Sequence, residues 1–430
     1  MGRKSKTIKL NVYIQGNLIG IYVKAPDGST SFTYDPTWVD HGFAISQSLP
    51  LVTVPYKGDS AKIYFENLLP DLKEARELIA TKIHANSSDH FDLLDAIGHD
   101  CVGALLFSKI LSANEAKDQP PRGEILSDKK IGNIIRNLKS YPLGMNNDQA
   151  DFRISLAGVQ EKTALLFLKN KWQRPIGTTP TTHILKPAMK FETFGLDMRS
   201  SVHNEYFCMK LCKEFNLKVA EVEIKSFDGE LALVVKRFDR YEKDGIIYRR
   251  PIEDMCQALG YFSNKKYQSD QGPCVSELIS ILSTSVNREK DLETFFKSLV
   301  VFFVMGAIDG HAKNYSIEYV KEGHRLTPLY DILSIYPALT DKEIKLGKYK
   351  MALSVGTSPH YKVDKIFRRH FLETAKTCQI SKEKANEIID DILFKIDQEV
   401  WNKIKCSKLF DESTRNRIIS GIKILSKKLL

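Results

Sequence analysis

Asp309-Gly310-His311-Ala312-Lys313-Asn314 places an Asn five residues after an Asp, and Tyr330-Asp331-Ile332 supplies a second Asp seventeen residues later. Asp-x-x-x-x-Asn followed by an Asp beyond a short hairpin is the spacing of a phosphoryl-transfer loop. The first carboxylate would orient or deprotonate an acceptor hydroxyl. The Asn would reach a metal ion one loop turn away, and the second Asp would bridge that metal to nucleotide phosphates. Phosphoryl transfer needs positioning and charge neutralisation above all, and these side chains with Mg²⁺ would provide both. Taken singly, each piece also reads as ordinary structure, because Asp-Gly is a common turn.

A small β-rich lobe with a loop over ATP and a strand Lys on its phosphates would have to accompany such a loop. Lys186 ends the apolar stretch His183–Leu185, and Glu205 falls on the helix expected over Ser201–Phe215, where an ion pair with that Lys would form. Gly158 is expected between two strands, inside Ser155-Leu156-Ala157-Gly158-Val159-Gln160-Glu161-Lys162. A surface lysine and a solvated helix glutamate are the plain alternatives for Lys186 and Glu205. Other phosphate motifs fail. No G-x-G-x-x-G is present, and Glu161 stands where a P-loop needs Gly.

The elements that must position these groups follow from periodicity. Residues 8–56 alternate as β, with turns at Gly16-Asn17 and Asp27-Gly28. Leu72, Ala75, Ile79 and Ile83 recur at helical spacing, with Pro70 at the start. Asp92–Ile97 reads as a second helix and Gly103–Phe107 as a strand. Ala113–Ile125 reads as a linker, and 142–151 as an irregular stretch. Strands follow over Thr163–Leu168 and Thr182–Leu185, then Val219–Ile224 and Leu231–Val235 across Asp228-Gly229. Beyond Asp239 the chain is expected to be mostly helical, with Leu292–Met305 strongly apolar.

At 430 residues the chain is long enough for two or three domains. Its 43% hydrophobic and 27% charged residues exclude disordered, collagen-like and coiled-coil classes. Seven scattered cysteines argue for a reducing compartment without a disulfide frame. Cys208 and Cys212 lack a second ligand pair for zinc. The basic start Met1–Lys6 runs into a strand pattern, and the longest apolar run, Leu299–Ile308, is half a membrane span, so a cytoplasmic chain with no membrane partner is expected. The net charge is +10, yet it is unevenly placed. Asp341–Leu430 holds 20 Lys+Arg against 12 Asp+Glu, whereas the first 340 residues hold 43 against 41. A basic end suits an anionic partner such as nucleic acid, or simply a solvated face.

Several segments resemble one family. Ser155–Lys162, Pro180–Lys186, Asn204-Glu205-Tyr206, Arg237-Phe238-Asp239-Arg240, Glu253–Gln257, Asp309–Asn314 and Leu326–Ile332 look like the HipA family of bacterial serine/threonine-kinase toxins. So do Glu66–Pro70 and Gly98–Ala104. The resemblance runs from Leu10 to about Phe371 and implies an α+β, bilobal, protein-kinase-like fold with a β-rich small lobe, a helical large lobe and an extra N-terminal β-rich subdomain. The segments would be 1–120 for that subdomain, 121–250 for the small lobe and 251–430 for the large lobe.

The resemblance also implies roles. Asp309 would be catalytic. Asn314 and Asp331 would hold Mg²⁺, and Lys186 would contact the ATP phosphates. Ala157, Gly158, Val159, Gln160, Glu161 and Lys162 would cover the nucleotide. Lys236, Arg237 and Phe238 would form the hinge beside adenine, acting through backbone and so tolerating side-chain change. His311, Lys313 and Tyr330 would line the site, and Ser155 would be the autophosphorylated residue that switches the kinase off. Partners would be a HipB-like helix-turn-helix antitoxin, operator DNA through that complex, and a protein substrate such as an aminoacyl-tRNA synthetase. Lys365, Arg368 and Arg369 are candidates for DNA phosphate contact, or else a solvated helix face. A catalytically silent antitoxin- and DNA-binding corepressor and a small-molecule kinase are the competing readings; the intact catalytic set counts against the first, the N-terminal match against the second.

Overall fold

The computed structural model describes residues 7–145, 154–190, 192–193, 196–339 and 346–430. The basic start Met1–Lys6, most of the irregular stretch before Ile154 and the first residues of the basic end lie outside the described residues. The chain forms two compact units. One runs to Leu185 and adds Phe227–Glu230 and Lys236–Asn264; the other comprises Lys186–Ser226, Leu231–Val235 and Lys265 onward.

The first unit opens with a five-stranded sheet in the order Tyr56–Lys57, Thr30–Tyr34, Asn17–Lys24, Ile8–Ile14, Leu106–Ser108. Val12 pairs with Gly20 on one side and with Phe107 on the other. Alternation buries Leu10 and Val12, and the covered face meets Tyr22, Phe65, Phe91 and Phe107, all fully buried. The Tyr22 and Phe65 rings lie 4.3 Å apart and Phe65 meets Phe107 edge-on at 5.5 Å. The expected helices form over Lys73–Lys82 and His90–Ile97. Leu72 caps the first, so Pro70 lies outside it and bridges Gly158 instead.

In the same unit Thr163–Leu168 pairs with Lys171–Pro175 across the Lys169-Asn170 turn, whose two residues both have positive φ, and with the strand His183–Pro187 on its other side. Gly123–Ile125 joins the edge, with Glu124 opposite Arg174, so the linker expected over 113–125 ends early. Among the described residues directly before Gly158, 154–157, no strand forms. Residues 154–157 are irregular because their polar groups are taken by other loops: the Ser155 N–H donates to the Asp100 carbonyl at 3.1 Å and its hydroxyl to the Leu68 carbonyl at 2.6 Å.

The second unit is built around helices Ser201–Glu214 and Arg288–Met305. Leu299–Met305 is buried on every side, as a helix apolar all round must be. Gly306 ends it in the left-handed conformation, φ 63°, and a Cβ there would lie 2.7 Å from the Tyr336 ring, so glycine suits the turn into Ile308 and Asp309. The expectation of a mostly helical chain beyond Asp239 needs correction. A hairpin forms in the first unit at Arg240–Lys243 with Ile246–Arg249, and two form in the second, Ser316–Val320 with Gly323–Leu326 and Lys350–Val355 with His360–Lys362. Asp244-Gly245, both at positive φ, is the hairpin turn that the helical reading overlooked. Among the described residues no helix is long and apolar enough to cross a membrane.

Candidate active site

Asp309 leaves the buried helix through the Gly306 turn, and the loop is closed by its own backbone. The His311 N–H donates to the Asp309 carbonyl at 2.8 Å and the Asn314 N–H to the His311 carbonyl at 2.9 Å. Ala312–Asn314 is a single 3₁₀ turn, which compresses the five-residue spacing and brings the Asn back toward Asp331. The hairpin Ser316–Val320/Gly323–Leu326 then reverses the chain. Leu329 bridges Val219 in parallel, exchanging backbone hydrogen bonds with Lys218 and Ala220, and this sets down Asp331 with φ 61°. Seventeen residues of sequence thereby close to one hydrogen bond, Asn314 Nδ2 to the Asp331 carbonyl at 3.2 Å.

Asp331 faces Lys186. The lysine Nζ donates to Glu205 Oε1 and to Asp331 Oδ1, each at 2.8 Å. Lys186 and Glu205 are buried, while Asp331 keeps 40% of its side chain exposed. Burial pushes the lysine pKa down, but Asp331 and Glu205 more than reverse that and hold it raised and charged. Asn204, the residue before Glu205, clamps the chain after Asp331 by donating to the Ser334 carbonyl at 2.7 Å and accepting from the Ser334 N–H at 2.9 Å. One helix therefore fixes both the ion pair and the loop that follows Asp331.

Asp309 is open to solvent yet densely surrounded by protein. Removal from bulk water pushes its carboxyl above the usual range; the Tyr267 hydroxyl, donating to Oδ1 at 2.7 Å, and Lys266 pull it back, and Asp331 pushes it up again. His311 and Lys313 are buried beside it in sequence, and Tyr330 donates to the Lys313 carbonyl at 2.7 Å. The Tyr330 hydroxyl thus ties the segment that carries Asp331 to the loop that carries Asn314.

The first unit holds the remaining expected residues. Gly158 has φ 102°, and a Cβ there would lie 2.6 Å from Lys162 Nζ, which donates to the Ala157 carbonyl at 2.7 Å. The loop thus closes on its own lysine, with Val159 and Glu161 exposed and Gln160 half-buried. Ser155 is fully buried. Lys236-Arg237-Phe238, the segment expected to be the hinge, is held by the Arg237 N–H on the Thr182 carbonyl, 2.9 Å. Lys236 is exposed and Phe238 half-buried. Tolerance of side-chain change there must be corrected for Arg237, whose guanidinium is buried. It donates to Asp239 at 2.8 and 3.0 Å, to Thr181 at 2.8 Å and to Asp100 at 3.3 Å. Arg240 and Arg249 close on the same Asp100. Burial pushes the Asp100 carboxyl up, but Arg240, Arg237 and Arg249 hold it well below the usual carboxylate range.

The sequence reading passed over Tyr267, over Asn204 as a clamp, and over Asp100. Their partners lie 42, 130 and 137 residues away in the chain, so no local spacing announced them.

Lys365 stays exposed, 3.7 Å from Asp364. Arg368 is taken up by Asp390 at 2.7 Å and Asn386 at 2.7 Å, and Arg369 stacks on Phe367 and meets His370. The three basic residues are neighbours in sequence; Lys365 and Arg369 are exposed, whereas Arg368 is half-buried and spent on its partners.

A strand lysine paired with a helix carboxylate, beside an Asp–Asn–Asp set, defines a protein-kinase-like enzyme of the α+β class. The HipA-like C-terminal domain model matches residues 154–400 and the HipA N-terminal domain model residues 10–108. The chain belongs to the HipA family. A Sinorhizobium fredii protein named as a kinase, Y4mE, is 33% identical over 350 residues, 79% of this chain and 81% of that one. The serine/threonine-protein kinase toxin HipA of Shewanella oneidensis is 28% identical over 353 residues, 77% and 76% of the two chains. A solved Shewanella oneidensis complex of HipA, HipB and operator DNA matches in fold with a TM-score of 0.78 at 23% identity, covering 97% of this chain and 96% of that one.

Proposed function

We propose that the protein is a serine/threonine-kinase toxin that transfers the ATP γ-phosphate to a serine of a cytosolic protein, an aminoacyl-tRNA synthetase, and so halts translation. The observation that carries this is Lys186 held between Glu205 and Asp331, with Asn314 beside it. The donor set fits Mg²⁺. Asn314 Oδ1 is buried and accepts no hydrogen bond, and it stands with the Asp331 carboxylate as a hard oxygen pair of the kind Mg²⁺ prefers. Bound Mg²⁺ would neutralise phosphate charge. Lys186 would hold ATP phosphate oxygens, Asp309 would accept the proton of the serine hydroxyl, and His311, Lys313 and Tyr330 would shape the floor of the site. Ala157–Lys162 would cover the nucleotide, and the backbone of Lys236–Phe238 would meet adenine.

Ser155 would be the off-switch. A phosphate there adds about −1.5 to −2 charge where the hydroxyl now fits a buried carbonyl, and the loop would have to leave. A HipB-like antitoxin would bind the toxin and carry it to operator DNA, which supports a cytoplasmic, nucleoid-associated location. The HipA–HipB–DNA complex of the structural relative supports this reading.

Purified protein incubated with labelled ATP and Mg²⁺, alone and with candidate synthetases, tests the proposal. Transfer should fall by about 10²–10⁴-fold in Asp309→Asn. No label on any protein with the wild type would leave a silent antitoxin-binding corepressor as the function.

A further inference from the structure

Tyr267 precedes the short 3₁₀ turn Gln268–Asp270 in the second unit and shares no sequence motif with the catalytic loop. Its hydroxyl nevertheless reaches Asp309 Oδ1 at 2.7 Å, and its ring meets His311 edge-on at 5.1 Å. The segment that carries it is anchored independently on both sides. The Lys266 carbonyl accepts from the Ala312 N–H at 3.4 Å, inside the catalytic loop. Gln268 makes a two-point contact with Ser354, donating from Nε2 to the hydroxyl at 2.8 Å and accepting at Oε1 from the N–H at 2.9 Å. Ser354 belongs to the strand Lys350–Val355, and the Ala352 N–H in turn donates to the Ile308 carbonyl at 2.9 Å, one residue before Asp309. A phenol is thus presented to the carboxylate by a frame that is itself tied to the backbone at Ile308 and Ala312.

We propose that Tyr267 is a positioning residue for phosphoryl transfer, its hydroxyl fixing one carboxylate oxygen of Asp309 so that the other meets the acceptor hydroxyl. This rests on the reading of Asp309 as the group that receives the acceptor's proton. A free carboxylate rotates about its last bond and offers the acceptor two oxygens in many orientations. One donor on Oδ1 leaves Oδ2 as the available acceptor in a defined direction, and small misplacements of a reacting group are costly in rate. The hydroxyl makes no covalent bond and carries no proton across the step. Gln268 serves at one remove, by holding the frame.

The test uses the full chain as Tyr267→Phe and Gln268→Ala, with transfer to protein followed at varied ATP. Tyr267→Phe should lower kcat about tenfold while KM for ATP stays within about twofold, because the phenol acts on the acceptor side and not on the nucleotide. Gln268→Ala should shift kcat in the same direction with KM again held. A crystal structure of Tyr267→Phe should show the Asp309 carboxylate rotated or spread over orientations. A Tyr267→Phe enzyme with wild-type kcat, or with the Asp309 carboxylate unmoved, overturns the proposal. So does a faster enzyme, or label on Tyr267 itself, either of which would make the phenol an occupant of the acceptor's place. If Asp309→Asn transfers label as well as the wild type, the reading of Asp309 has failed instead.

Discussion

Lys186 Nζ lies 2.8 Å from Glu205 Oε1, with 8% and 2% of the two side chains exposed. A pair this dry cannot be judged by its Coulomb attraction alone, since both ions have lost their water. Its stability value is small against an apolar replacement of both, but large against the loss of either one. Asp331, more exposed, completes the lysine's environment.

Lys186→Met should therefore destabilise the protein by about 3–5 kcal/mol in denaturant unfolding, because Glu205 is left as an uncompensated buried carboxylate. The double variant Lys186→Met with Glu205→Gln should recover most of that loss, yet remain without phosphoryl transfer. Equal instability of the single and double variants would show that the pair is not the source.

The Asp100 network gives the first unit a pH dependence with a definite sign. Asp100 and Asp239 both have carboxyl pKa values held low in the folded chain. For both, burial raises the pKa, and neighbouring arginines, with Arg240 and Arg237 common to the two, more than reverse it. An acid depressed on folding contributes stability that is fully present above its unfolded value near ~3.9 and is lost as pH falls toward the folded value. Unfolding free energy should be level from neutral pH to about 5 and fall below about 4. Asp100→Asn should be less stable at pH 7, leaving Arg237, Arg240 and Arg249 short of a counter-charge, and should lose less on acidification. An identical slope in the two proteins would reject the network as the cause.

The core of the site was legible because it is local. Asp309 to Asn314 is one loop, Asp331 follows one hairpin, and Lys186 and Glu205 are only 19 residues apart, so residue type and order sufficed to expect their contacts. The strand Thr163–Leu168 and the helix ending at Met305 announced themselves by unbroken apolar runs. What the sequence withheld has a common physical character. Gln268 meets Ser354 across 86 residues and Arg237 meets Asp100 across 137. Such contacts follow from tertiary packing, and a lone Tyr, Gln or Arg has no periodicity to betray its partner. In the described part of the strand expected before Gly158, residues 154–157, the reason is related: the groups that would have built a ladder at Ser155 are used by Asp100 and Leu68.

Ser155 offers a graded test of its proposed switching role. Its hydroxyl is fully buried and donates to the Leu68 carbonyl. Ser155→Ala should cost about 1 kcal/mol of stability and leave ATP affinity near the wild-type value. Ser155→Asp brings a charge where the carbonyl can only repel it, and should weaken binding of a fluorescent ATP analogue by at least about tenfold. Tight binding by the Asp variant would mean that the buried loop conformation is not needed for nucleotide.

The basic end can be separated residue by residue. Lys365 is 69% exposed in its side chain, with its ammonium 3.7 Å from Asp364, whereas Arg368 is 24% exposed and spent on Asp390 and Asn386. A phosphate contact must bring a charge that is free to leave water, so Lys365 is the better donor of the two. In a complex with antitoxin and operator, Lys365→Ala should reduce the slope of log K against log salt by about one while leaving thermal stability unchanged. Arg368→Ala should do the reverse, lowering stability by about 1 kcal/mol with the slope held. Electrophoretic or anisotropy titrations at several salt concentrations, set beside melting curves, decide the matter; an unchanged slope for Lys365→Ala would assign that residue to the solvated helix face.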